Sequence, residues 1–157
     1  HHFLVYYTQG ELIMTLDQLH ELWSKDANID RTELGEEANK IPQLHSKYYK
    51  FYSTERLVLR KLQEELKQLN FDKSQWLQGN MDRDDMKARG WEPNPLKILK
   101  ADLDAHIDSD QEVIDFKLKI AYQQEKVDFL DSAIKSLTNR GFNLKAAIDW
   151  EKFKMGV

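Results

Sequence analysis

The sequence predicts a mainly α-helical protomer, and three observations carry that prediction. Apolar residues recur at steps of three and four over two long stretches, Ile41 to Leu69 and Val113 to Leu137. That spacing lays them along one face of a helix. Ser/Thr-x-x-Glu/Gln signals, which open helices by satisfying their first N–H groups, stand at Thr15–Gln18 and Ser109–Glu112. Composition agrees, with 32% charged and 41% hydrophobic residues and a bias toward helix formers.

Taken in order, the opening HHFLVYYTQG has the form of the end of an affinity tag, and residues 1–13 read as a vector-derived leader ahead of Met14. Thr15 and Gln18 then open a short helix from Leu16 to about Lys25, with Leu16, Leu19 and Trp23 on one face. Asp30 with Glu33 signals a second start. Pro42 is expected to kink or restart that helix, because its ring cannot continue the hydrogen-bond ladder. Ile41, Leu44, Tyr48, Phe51, Leu59, Leu62, Leu66 and Leu69 carry the helical period to about Gly79, as one long amphipathic helix or a helix pair divided near Ser53-Thr54.

Residues 79–95 hold two glycines, two prolines and no period, which predicts a long connection. Over 101–108, Leu103, Ala105 and Ile107 alternate with Asp102, Asp104, His106 and Asp108, which predicts a short strand or extended segment. Ser109 opens the clearest helix: Val113, Phe116, Ile120, Gln123, Val127, Leu130, Ile134 and Leu137, with Gln123 its one polar member. Such a narrow seam belongs to a coiled coil or helical hairpin, and the simpler reading packs it on the Ile41–Leu69 helix within one subunit. Asn139-Arg140-Gly141 is expected to end it, and Asn143 to cap a separate short C-terminal helix reaching Lys154.

At 157 residues the chain suits one domain, residues 14–157. With no cysteine, there is no disulfide framework, thiolate metal site or thiol nucleophile. No apolar run approaches the roughly 20 residues of a membrane span, so no membrane partner is expected. The acids of 102–110 lack the glycine and glutamate of a calcium loop, and no phosphate-binding loop, nucleophile elbow or paired histidines stand out. Neither an enzyme, a metal site nor a cofactor is nominated.

The formal charge of −4 argues mildly against a constitutively nucleic-acid-bound protein, yet its distribution is uneven. SKYYKFYSTERLVLRK, Ser46 to Lys61, sets Lys47, Lys50, Arg56, Arg60 and Lys61 against Glu55 alone, with Tyr48, Tyr49, Phe51 and Tyr52 interleaved. Cations neutralise phosphates and aromatic faces stack bases, a pairing suited to single-stranded nucleic acid. The competing reading makes the aromatics core and the cations a solvated face, so that the protein is a helical oligomeric scaffold or adaptor without DNA binding. A hydrolase with an unfamiliar loop site is a third, weaker class.

Toward the end of the chain, Arg140-Gly141-Phe142-x-Leu144-Lys145 with Asp149, Phe153 and Gly156 resembles the C-terminal signature of the UvsY family, recombination mediators of T4-like bacteriophages. Val127-Asp128-Phe129, Ala133-Ile134 and Ile107-Asp108-Ser109-Asp110 fit in the same register, as do Leu16-Asp17-x-Leu19, Asp26, Ile29-Asp30 and Leu44-x-Ser46-Lys47. The resemblance implies a non-enzymatic protein of the host-cell cytoplasm that forms a homo-oligomeric ring, a hexamer or heptamer. It implies binding to single-stranded DNA, contact with the phage single-strand-binding protein, and loading of a RecA-like recombinase of the UvsX type.

Because family oligomerisation depends on the C-terminal region, residues 142–157 become the candidate oligomerisation segment, through Phe142, Leu144, Ile148, Trp150 and Phe153. Where the family carries LKARLDYYSG, this chain reads NFDKSQWLQG, with Lys73 at the arginine and Trp76 at a tyrosine. The candidate DNA-binding set is therefore Lys47, Lys50, Arg56, Arg60, Lys61, Lys67, Lys73 and Trp76, with Lys87 and Arg89 in reserve.

Overall fold

A computed structural model describes residues 14–157 and the backbone of Tyr7–Thr8 (β1) and Glu11–Leu12 (β2), which pair antiparallel with Tyr7 opposite Leu12. The leader expected over 1–13 otherwise lies outside the described residues. Five α-helices follow among the described residues: α1 Leu16–Asp26, α2 Leu34–Leu77, α3 Arg83–Arg89, α4 Leu103–Asp108 and α5 Gln111–Lys154. The protein is mainly α, as its periodicity predicts. Contacts divide the chain into two compact units, one of residues up to Leu57 with Gln123–Val157 and one of Val58–Tyr122.

In the first unit the capping box forms as expected: the Gln18 N–H donates to Thr15 Oγ1 at 3.1 Å, and Gln18 Oε1 accepts from the Thr15 N–H at 2.9 Å. This fixes the start of α1, whose Leu19 is fully buried with Tyr48 of α2 and Leu130, Ala133 and Leu137 of α5. Burying each such side chain contributes roughly 2 kcal/mol. Trp23 and Phe51 meet Tyr48 edge-on, with ring centroids 5.1 and 5.7 Å away. In the second unit Leu69 and Leu77 pack with Leu103, Ile107 and Val113, and Trp76, Trp91, Ile98 and Phe116 close the periphery. Both halves of the seam are thus covered within the chain.

Several local expectations are corrected. Helix α2 runs through Pro42 without a break. The proline removes one hydrogen bond, but core packing on either side outweighs a penalty of about 3 kcal/mol. Gly141 likewise lies inside α5, so there is no separate C-terminal helix and Asn143 caps nothing. Leu137, Arg140 and Leu144 are buried at helical steps across it, and this continuous face overrides a glycine cost of about 1 kcal/mol.

Residues 101–108 are helical rather than extended: a 3-10 turn, Lys100–Asp102, leads into α4. Positions i and i+4 satisfy both periods, and here Leu103 and Ile107 are buried while Ala105 between them is exposed. Ser109 closes α4 by donating to the Ala105 carbonyl at 2.8 Å, so the cap of α5 passes to Asp110, which accepts from the Val113 N–H at 3.1 Å. The start signalled at Asp30–Glu33 forms a turn around Asp30, and α2 begins at Leu34. The connection expected at 79–95 contains α3, capped by Asp82 and ended by left-handed Gly90 at φ 75.

Candidate nucleic-acid interface

The basic-aromatic stretch lies on α2, and the helix sorts its residues by face. In the first unit Tyr48 is fully buried, whereas Tyr49 and Lys50 face outward and Tyr52 and Arg56 are half-buried. His45, Tyr49, Tyr52 and Arg56 stand at steps of four, three and four, so they share one face. Their rings form a row: His45 stacks on Tyr49 at 6.1 Å, Tyr49 meets Tyr52 at 5.9 Å, and the Arg56 guanidinium lies 5.0 Å from the Tyr52 centroid.

The one acid of the stretch points the other way. Glu55 occupies the apolar stripe between Phe51 and Leu59, where Lys126 Nζ meets its Oε1 at 2.9 Å. The Gln123 amide donates to the Glu55 carbonyl and to its Oε2, at 2.8 and 2.6 Å. Burial pushes the Lys126 ammonium below its ordinary pKa, and the Glu55 hydrogen bond and charge oppose that shift. Glu55 is therefore neutralised inside the unit, and it does not offset the cations outside. Sequence reading missed this pair, although Glu55 falls on the three-four register of the core.

Lys47 is less available than its neighbours. Its ammonium and the Tyr48 hydroxyl both donate to Asp26 Oδ2, at 2.8 and 2.7 Å. Partial burial pushes Asp26 up, but these two hydrogen bonds and the charges of Lys47 and Arg140 hold it below the ordinary carboxylate value. Burial, with the hydrogen bond to Asp26, pushes the Tyr48 phenol well up. Arg140 donates to the Asp26 carbonyl at 3.0 Å and sits over the Trp23 ring.

In the second unit Arg60, Lys61 and Lys67 are exposed. Lys61 and Lys67 lie 3.9 Å from Glu65 and 2.9 Å from Glu64, on the surface. Such pairs contribute about 0.5 kcal/mol or less and exchange readily for phosphate. Lys73 differs from them: it extends the stripe after Leu69, is almost wholly buried, and lies 4.0 and 5.0 Å from the Trp91 and Trp76 rings. Asp110 and Glu112 complete its enclosure at 3.2 and 3.5 Å. Trp76 is committed too, its indole N–H donating to the Glu92 carbonyl at 2.7 Å. Arg89 is held by Asp72 at 2.7 Å, while Lys87 is exposed.

At the end of α5 the oligomerisation candidates separate. Leu144 is buried within its own unit and Ile148 half-buried, whereas Phe142, Trp150 and Phe153 are exposed. Trp150 and Phe153 stack at 5.5 Å with planes 20° apart. Among the described residues no group of acids and histidines is placed to hold a metal ion, and no helix is long and apolar enough to cross a membrane.

A family model described as the recombination, repair and ssDNA binding protein UvsY matches residues 22–157. Over 143 residues the chain is 24% identical to the recombination protein uvsY of Enterobacteria phage T4, covering 91% of this chain and 99% of that protein. Two crystal structures of the bacteriophage T4 recombination mediator protein UvsY share the fold. Lattice type II gives a TM-score of 0.78 over 90% of this chain and 98% of that one, and type IV gives 0.77 over 89% and 99%, both at 24% identity.

Proposed function

The chain belongs to the UvsY family, and from that premise we propose that it is a recombination mediator acting in the cytoplasm of a phage-infected host. It binds single-stranded DNA and loads a RecA-like recombinase of the UvsX type onto strands covered by the phage single-strand-binding protein, serving recombination, repair and recombination-dependent replication. The observation supporting the DNA contact is that exposed Tyr49 shares a face of α2 with half-buried Tyr52 and Arg56, with exposed Lys50 beside it, while Glu55 is turned in. Lysine and arginine grip phosphates, tyrosines stack bases, and neither group reads sequence. A mediator needs that indifference, because it holds any strand while two other proteins exchange on it.

Residues 142–157 serve as the oligomerisation segment, with Phe142, Trp150 and Phe153 covered by another copy in a hexameric or heptameric ring. Repetition around the ring lets modest patches bind by avidity. A salt titration of single-stranded DNA binding tests the reading. Affinity is expected to fall steeply with salt and equally for strands of different sequence, whereas a scaffold shows no binding even at low salt. Arg60→Ala with Lys61→Ala should weaken all strands alike and leave the ring assembled. A double variant that sediments as a monomer would move this face from the DNA surface to the subunit interface.

A further inference from the structure

Between Gly90 and the 3-10 turn the chain presents a second kind of surface. In Pro95-Leu96-Lys97-Ile98-Leu99-Lys100, Ile98 alone turns inward to pack on the second unit's core, and its N–H donates to the Leu77 carbonyl at 2.9 Å. Leu96 and Leu99 are left 68% and 73% exposed, with Lys97 and Lys100 exposed beside them. Among the described residues neither lysine has an ion-pair partner, although the chain is acidic overall. Isolated exposed leucines are ordinary; two leucines and two unpaired lysines within five residues, held in place, are not.

The segment is held in place at several points. Pro93 and Pro95 restrict its backbone ahead of Leu96, whose N–H donates to Asn94 Oδ1 at 3.3 Å. The Lys97 stem lies over Gly79, where a Cβ would come within 3.1 Å of Lys97 Cε, and Gly79 has φ +77. A surface ordered in advance loses little entropy when it binds.

We propose that residues 96–100 form a docking surface for an acidic, leucine-bearing peptide segment of a partner protein, with Leu96 and Leu99 taking its apolar side chains and Lys97 and Lys100 its carboxylates. Charge complementarity selects the acidic partner, and the leucines select a peptide over nucleic acid, since leucine offers no face for stacking bases. The surface shares no residue with the proposed DNA face.

The test is fluorescence anisotropy on the full chain, with a short labelled peptide of leucines and aspartates in equal number and an aspartate-only peptide of the same charge. The mixed peptide should bind about tenfold more tightly than the aspartate-only one, and Leu96→Ser with Leu99→Ser should erase that difference. Lys97→Glu with Lys100→Glu should abolish binding and create a preference for a leucine–lysine peptide. The leucine variant should retain its affinity for oligothymidylate and its sedimentation behaviour. Four results overturn the proposal: no binding of the mixed peptide at low salt, equal binding of both peptides, weakened oligothymidylate affinity in the leucine variant, or a changed oligomeric state in that variant.

Discussion

Residues 45–56 and residues 73–91 are built from the same kinds of side chain and have opposite fates. In the first region Tyr49 and Lys50 face outward and Tyr52 and Arg56 are half-exposed, while the nearby acid, Glu55, sits on the core stripe and is consumed by Lys126 and Gln123. In the second, it is a cation that sits on the stripe. Lys73 is drawn in, two tryptophans close over it, and Asp110 and Glu112 neutralise it. Basic-aromatic composition is therefore not a binding surface in itself. What decides is which charge falls on the three-four register, because the charge on the register is buried with a partner and the charge off it meets solvent.

The largest effect expected comes from breaking the first region from inside. Glu55→Ala strands the Lys126 ammonium in the core and should cost about 3–5 kcal/mol in urea unfolding. Glu55→Leu with Lys126→Leu should restore most of that stability, since well-packed apolar side chains replace a buried pair at little cost. If the double variant is as unstable as the single one, the pair contributes more than mutual neutralisation.

Next in size is Lys73→Ala. It removes an ammonium from between two rings and two carboxylates and should cost about 1–2 kcal/mol, with a change in tryptophan emission. Its affinity for single-stranded DNA should not move.

The smallest effect concerns Lys47, which stands between the two cases because Asp26 holds it. The Asp26 pKa is lowered in the fold, so its contribution is complete above the ordinary value of 3.8 and is lost as pH falls through the folded value. Unfolding followed against pH should therefore show an acid limb that Asp26→Asn flattens. Tyr48 gives the opposite sign. Its raised pKa contributes stability below the ordinary value of 10.0 that is lost as pH rises beyond it. Tyr48→Phe should remove that alkaline decline.

Helix identity over 41–77 and 113–137 was legible because many apolar residues repeat one period. Continuity was not. Pro42 and Gly141 are penalties local to the backbone, and the packing of Leu44, Tyr48, Leu137 and Leu144 that outweighs them is tertiary. The seven residues of α3 escaped because none is buried, leaving no stripe to read, although Asp82 and Gly90 mark its ends. Within the candidate DNA-binding set, Arg60 and Lys61 lie off the stripe and outward, while Lys73 lies on it. Extending the series Leu62, Leu66, Leu69 by four residues reaches Lys73, so its burial could have been read; its partners Asp110, Glu112 and Trp91 could not, being brought there by the fold. The family's own motif pointed the other way, by setting Lys73 at an arginine position.

The most direct test measures the salt dependence of single-stranded DNA affinity for two variants side by side, Lys50→Ala with Arg56→Ala and Lys73→Ala. Each phosphate of a single strand that is no longer neutralised lowers the slope of log affinity against log salt by about 0.7. The first variant should have a slope shallower by about 1.4, the equivalent of two phosphates, while Lys73→Ala keeps the wild-type slope. A wild-type slope for the first variant together with a reduced one for Lys73→Ala would contradict the account, because the strand would then be gripped by the region that two tryptophans and two carboxylates close off.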